Sequence, residues 1–148
     1  MTFEEFTKFV DAMKLKHPFW FEFQGDGPIS QQRIDAIEAE KNILFPENYK
    51  KFISTYGPGD FAFTSIYSPD PLQNCSLWND IKSYPEIPHD FIPFADNGCG
   101  DYLGFPVTEG HCEDRVLWAD HEEGYILAES DYPTFLDYLL IVGLKAEE

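Results

Sequence analysis

Apolar residues in the first third of the chain recur at helical spacing. Phe6, Phe9, Val10 and Met13 form one stripe, and Thr2-Phe3-Glu4-Glu5 ahead of it fits a capping box, in which the Thr2 hydroxyl accepts the Glu5 amide and the Glu5 carboxylate reaches back. This predicts a first helix over residues 3–15, ended by His17-Pro18 because a residue before proline is pushed out of the helical region. Phe19, Phe21 and Phe23 then alternate with Trp20, Glu22 and Gln24, which fits a short strand or an aromatic arm lying on the core. After a Gly25-Asp26-Gly27-Pro28 loop, Ile34, Ile37, Lys41 and Leu44 mark a second helix from Ser30, its N-cap, to Asn42. A third begins near Pro46, where a missing amide costs nothing, and buries Tyr49, Phe52, Ile53 and Tyr56. Gly57 sits where a left-handed cap is wanted, and Pro58 stops the helix.

The pattern then changes. Residues 61–67, 91–95, 102–105, 116–118 and 125–128 are short aromatic or β-branched runs separated by Gly, Pro, Asn and Asp, which reads as strands joined by turns. His121-Glu122-Glu123-Gly124 makes a hairpin turn between the last two, and residues 74–88 are partly helical or irregular, with Trp78 and Ile81 facing inward. Asp131 caps a final helix carrying Phe135, Tyr138, Leu139 and Val142. The expected fold class is α+β: one domain over 1–148, a twisted antiparallel sheet flanked by N-terminal helices and one C-terminal helix.

Composition sharpens this picture in two ways. A chain of 148 residues with 43% hydrophobic and 17% aromatic residues can build a real core. Most aromatics fall at strand or helix periods, so Tyr102 and Trp118 are expected in the core rather than stacked on a ligand. The second change comes from charge. Ten basic against 27 acidic residues leave a net charge of −17, which argues against nucleic acid and anionic membrane surfaces as partners. The imbalance is uneven. Residues 1–51 carry seven basic and nine acidic residues, whereas 52–148 carry only Lys82, Arg115 and Lys145 against eighteen acids. Such asymmetry within one domain suggests a directional field, the alternative being a merely soluble surface, which needs a net charge of only about 2–8.

Three cysteines, Cys75, Cys99 and Cys112, do not make a disulfide framework. The N-terminus lacks the cationic start and apolar run of a signal peptide, and no apolar segment reaches membrane-spanning length, so a cytoplasmic protein is expected. Catalytic chemistry has little support. Cys99 is flanked in sequence by carboxylates, which oppose formation of a reactive thiolate, and no P-loop, nucleophile elbow or dinucleotide fingerprint occurs. Cys99, His111, Cys112 and His121 are of the right types for zinc but lack zinc-site spacing. The acid-rich 96–101 loop lacks the ligand register of an EF-hand. No cofactor, metal ligand or catalytic residue is therefore assigned.

Three blocks in order resemble the SUKH superfamily, which includes the yeast Smi/Knr cell-wall regulator, bacterial Syd and many bacterial immunity proteins. The first is Ile34-x-x-Ile37-Glu38, Leu44-Phe45-Pro46-Glu47-Asn48-Tyr49-x-x-Phe52 and Tyr56-Gly57-x-Gly59. The second is Phe91-Ile92-Pro93-Phe94-Ala95 with Asn97-Gly98-x-Gly100-Asp101. The third is Val116-Leu117-Trp118-x-Asp120-His121-Glu122, followed by Ala128-Glu129-Ser130 and Phe135-Leu136. Together they span about 30–141. The turn Tyr56-Gly57-Pro58-Gly59 departs from the family's Asn-Gly-Gly, and Asn42-Ile43 replaces the usual glycine before the Leu-Pro element.

The resemblance implies a non-enzymatic α+β immunity protein that binds and neutralises a cognate polymorphic or contact-dependent toxin. Many such toxins are nucleases with basic clefts, which an acidic partner can occupy. On that reading the contact surface is expected on acidic loops of the C-terminal two-thirds: Asp60, Asp70, Asp80, Asp96, Asp101, Glu109, Glu113, Asp114, Asp120, Glu122 and Glu123. The alternatives are a non-toxin interaction or regulatory module of the same fold, and an enzyme using a carboxylate or Cys99 of the 96–101 loop.

Overall fold

In a computed structural model, which describes residues 1–22 and 25–146, the chain opens with helix α1 (Phe3–Lys16). The Thr2 hydroxyl accepts the Glu5 amide at 3.1 Å, and Phe6 and Val10 are buried. The aromatic stretch that follows is a 3-10 turn (Pro18–Phe21) rather than a strand. Pro18 sets its first residue, and Trp20 folds back to stack on His17 with ring centroids 4.0 Å apart. Phe23, the last member of the alternation, lies outside the described residues.

Helix α2 (Gln31–Lys41) is capped by the Ser30 hydroxyl, which accepts the Arg33 amide, and ends at Asn42 in the left-handed region with φ 54°. Asparagine tolerates that conformation well, which accounts for its standing in place of glycine. Helix α3 (Glu47–Thr55) buries Tyr49, Phe52 and Ile53. Glu38 of α2 is buried, accepts the Phe45 amide at 2.8 Å and faces Lys50 Nζ at 3.4 Å, so one carboxylate fixes the α2–α3 connection. Gly57 is required twice over. Its φ is +85°, and a Cβ there would lie 2.2 Å from the Gly27 carbonyl oxygen.

The run at 61–67 is not one strand. β1 (Gly59–Phe61) and β2 (Thr64–Ile66) form a hairpin reversed at Ala62, whose φ is 49°. Helix α4 (Leu77–Ser83) follows, with Ser76 as its cap. The main sheet holds β3 (Phe91–Asp96), β4 (Tyr102–Thr108), β5 (His111–Cys112), β6 (Leu117–Asp120) and β7 (Ile126–Glu129), all antiparallel in the order β3-β4-β6-β7. β5 extends the far end of β4 through Glu109-Gly110, both at positive φ, as a two-residue hairpin of type I′ sign requires. The last helix, α5 (Phe135–Tyr138), is a single α-turn running into a π-turn at Leu139–Gly143. Its cap is Thr134 rather than Asp131: the Thr134 hydroxyl accepts the Asp137 amide and the Asp137 carboxylate accepts the Thr134 amide.

The result is the α+β architecture that the pattern predicts, with the sheet buried unequally on its two faces. Helices α3 and α5 pack on one face, with α1 and α2 contributing to the same core, and there Tyr49, Phe52, Phe94, Phe105 and Phe135 pack with ring centroids 4.9 to 5.7 Å apart. The other face carries a smaller core of Ile87, Phe91, Tyr102, Leu117 and Ala119. Leu103 pairs with Trp118 across β4 and β6, and Tyr102 pairs with Ala119 one step along. Alternation therefore puts Leu103 and Trp118 on the helix-covered face. Leu103 is buried there, but Trp118, one strand further out, is 39% exposed. The helical layer stops short of the β6–β7 end.

Candidate functional site: an acidic, aromatic cleft at the open end of the sheet

Where the helical layer stops, a cleft of about 790 Å³ opens between the sheet, the β1–β2 hairpin and the C-terminal helical segment. Leu103 and Trp118 form part of its wall, with Asp60, Ala62, Phe63, Thr64 and Ser65 from the hairpin and Tyr138 and Val142 from the chain's end. Trp20 closes one side through an edge-on contact with Phe63 at 4.8 Å. The hairpin is fastened by the Phe63 amide, which donates to the Gly143 carbonyl, and by a 2.8 Å bond between the Thr64 and Tyr138 hydroxyls. The fold thus holds the cleft open from three separate elements.

The electrostatics are one-sided. Asp60, Asp96, Glu129 and Asp131 line the cleft, and none of the lining residues is Lys, Arg or His. Asp96 is partly engaged: it accepts the Tyr67 hydroxyl and the Gly98 amide. Burial, followed by that bond to Asp96, pushes the Tyr67 hydroxyl far above the usual phenol range, so it stays a donor. Glu129 lies 3.8 Å from Arg115 Nε, a long contact between exposed groups. Asp60 and Asp131 are exposed and form no ion pair among the described residues.

Beside the cleft, Asp101 at the head of β4 and His121 after β6 form a close ion pair. His121 Nδ1 lies 2.6 Å from Asp101 Oδ1, and the His121 amide donates to the same oxygen at 2.9 Å. Burial works against the Asp101 charge, but His121 and Asn97 outweigh it and hold the carboxyl well below its usual range. The bond to Asp101 raises His121 in turn, against a smaller opposing effect of desolvation. Asp120 completes a group of three with ligating atoms within 4.8 Å of one another. A 2.6 Å contact is a hydrogen bond. Two ligands at about 2.0–2.1 Å from one tetrahedral ion stand well over 3 Å apart, so this arrangement is that of an ion pair.

The eleven acids singled out in the sequence separate into two sets. Asp60, Asp96, Glu109, Glu113, Glu122 and Glu123 are exposed, and Asp120 is half-buried while accepting the Glu122 amide. The other four are engaged by the chain's own donors. Asp70 is buried and takes Arg33 in a two-point ion pair at 2.9 and 3.2 Å, which holds its carboxyl below the ordinary range. Asp80 accepts the Tyr102 hydroxyl at 2.8 Å, Asp101 is buried against His121, and Asp114 accepts the Phe135 amide at 2.9 Å. Only Asp60 and Asp96 of the eleven line the cleft, whereas Glu109 is at a hairpin tip beside a separate hollow lined by Asp35, Glu38 and His111. Trp118 corrects the expectation of a core residue, while Tyr102 is buried as its period suggests. Glu129, Asp131 and Phe63 were not singled out. Their positions depend on how three distant segments pack, and no spacing carries that.

Two of the three thiols are held in the protonated form. Burial and the bond it donates to Asp26 push Cys75 up to about 11, and burial together with Glu38 pushes Cys112 up to about 12. Cys99 is exposed, and no hydrogen bond joins its sulfur to His121. Cys99, His111, Cys112 and His121 do not converge as a ligand group among the described residues. No described helix is long and apolar enough to cross a membrane.

Together these features define a class: an α+β domain whose distinguishing feature is a recessed acidic surface. The chain belongs to the SUKH family, since residues 31–139 match the family model described as SMI1-KNR4 cell-wall. SUKH domains are of the immunity-protein type and are generally non-catalytic. No curated protein matches the chain.

Proposed function

We propose that this protein is a cytoplasmic immunity protein that neutralises a cognate polymorphic toxin by stoichiometric binding, and that the toxin presents a basic, nuclease-type surface. The observation that carries this reading is the cleft, whose lining combines the exposed acids Asp60 and Asp131, unpaired among the described residues, with exposed aromatic rings and includes no Lys, Arg or His. The exposed acids outside it, Glu113, Glu122 and Glu123, extend the same sign of field, with Asp120 between them. Such a field speeds encounter with a basic partner and lets the protein compete with nucleic acid for the same surface. Asp70, Asp80, Asp101 and Asp114 serve this reading indirectly, by holding the loops that display the others.

The test is co-expression with a toxin gene, sought first in the immediate neighbourhood of this one. Rescue of growth and co-purification at equal stoichiometry are expected. Unrelieved toxicity with both proteins soluble would overturn the proposal. The family description, which refers to cell-wall proteins, favours a second reading as a regulatory interaction module. An adjacent gene without toxin activity, with a stable complex formed elsewhere, would point there.

A further inference from the structure

We infer that the cleft is the seat of an arginine side chain presented by the partner, stacked on Trp118 and paired with Asp60 and Asp131. This rests on the binding role proposed above and specifies its chemistry. Three observations lead to it. First, Trp118 and Phe63 are 39% and 49% exposed and both line the cleft, so aromatic surface is left open there rather than packed into the core. Secondly, the acids on the same walls are the ones without internal work: Asp60 and Asp131 have no ion pair among the described residues, unlike Asp70 or Asp101. Thirdly, the Phe63 ring is already engaged within the chain, by Lys145 Nζ at 5.2 Å from its centroid and by Trp20 edge-on at 4.8 Å, which leaves Trp118 as the open ring of the cleft.

Aromatic faces beside unpaired carboxylates select a cation, and among side chains they select guanidinium over ammonium. Guanidinium is planar and weakly hydrated, stacks on a ring face and pairs with carboxylates through a fork of donors, whereas ammonium is a compact, strongly hydrated point charge. The volume of about 790 Å³ lies within the range of sites that enclose a small ligand, so it admits the arginine with part of its neighbouring chain.

The test uses the full chain and two synthetic probes, hexa-arginine and hexalysine, followed by the indole resonance of Trp118 and by calorimetry. Hexa-arginine should shift the Trp118 indole saturably and bind about tenfold more tightly than hexalysine, the scale of one partly desolvated stacking contact. Asp60→Asn with Asp131→Asn should weaken hexa-arginine about tenfold or more. Glu122→Gln with Glu123→Gln removes the same charge outside the cleft and should weaken it only by the few-fold that salt also screens. Equal binding of the two peptides, equal effects of the two double variants, or an unmoved Trp118 resonance would each overturn the inference. The readout separates this from the toxin reading: peptide binding with no rescue by co-expression refutes the latter alone, and rescue undiminished in the Asp60/Asp131 variant refutes the former alone.

Discussion

Asp114 provides a sharp test of the division between acids that hold the fold and acids that face solvent. Its Oδ1 accepts the amide of Phe135 at 2.9 Å, and its Oδ2 lies 3.5 Å from Asn48 Nδ2. Phe135 is fully buried in the aromatic core, so its amide loses its only protein partner among the described residues, in a largely shielded position, if the carboxylate is removed. Thr134 and Asp137 still cap the helix through their reciprocal bonds, which confines the loss to one orphaned donor. That loss is about 1–2 kcal/mol. At the size of this domain it lowers the melting temperature by about 2–8 °C. Asp114→Ala should therefore shift both the urea midpoint and the thermal midpoint, read by circular dichroism. Asp114→Asn keeps an acceptor oxygen and should lose less than half as much. Glu122→Gln, an exposed acid of the same charge, should stay within about 0.5 kcal/mol of the parent. An Ala variant as stable as the parent, or an Asn variant as damaged as Ala, would refute the reasoning.

Other expectations follow from the same geometry. The Asp101–His121 pair has opposite pH limits: the lowered Asp101 contributes stability above about pH 4 and loses it as pH falls through its depressed pKa, whereas the raised His121 contributes fully below about pH 6.5 and loses it as pH rises through its elevated one. The difference in urea midpoint between the parent and His121→Gln should thus be greatest between those limits, and a difference independent of pH would contradict the pairing. Gly57→Ala combines a left-handed φ with a backbone collision at 2.2 Å and should destabilise well beyond the usual glycine effect, measured by the same denaturation. Thiol labelling at pH 8 should modify exposed Cys99 quickly and leave Cys75 and Cys112, pushed up to about 11 and 12, unreacted until the chain unfolds.

Much of the architecture is legible in the sequence because local chemistry and burial agree. The Thr2 and Ser30 caps, the Tyr49–Phe52–Ile53 face and the Gly57 stop all appear where spacing places them. The failures have physical causes. The hairpin turn at Ala62 uses a residue with no turn signature, and it persists because Phe63 and Thr64 are tied to Gly143 and Tyr138 across the fold. Asp131 precedes the C-terminal helix closely enough to look like its cap, but Thr134 has the complementary Asp137 three residues on. The cleft is less legible still. Trp118 has the alternation of a core residue, and only the extent of the helical layer decides that it faces an opening. Asp70 has the sequence environment of a surface loop, and only the fold brings Arg33 to it.

The central claim is that the uneven negative charge captures a basic partner. It is tested most directly by stopped-flow association with a toxin that this protein neutralises on co-expression, from about 0.01 M to about 1 M ionic strength, over which the screening length falls from about 30 Å to about 3 Å. The account predicts association near 10⁸–10⁹ M⁻¹s⁻¹ at the low-salt end, a steep fall with salt, and a dissociation rate that changes far less. An association rate that is flat across that range would contradict it.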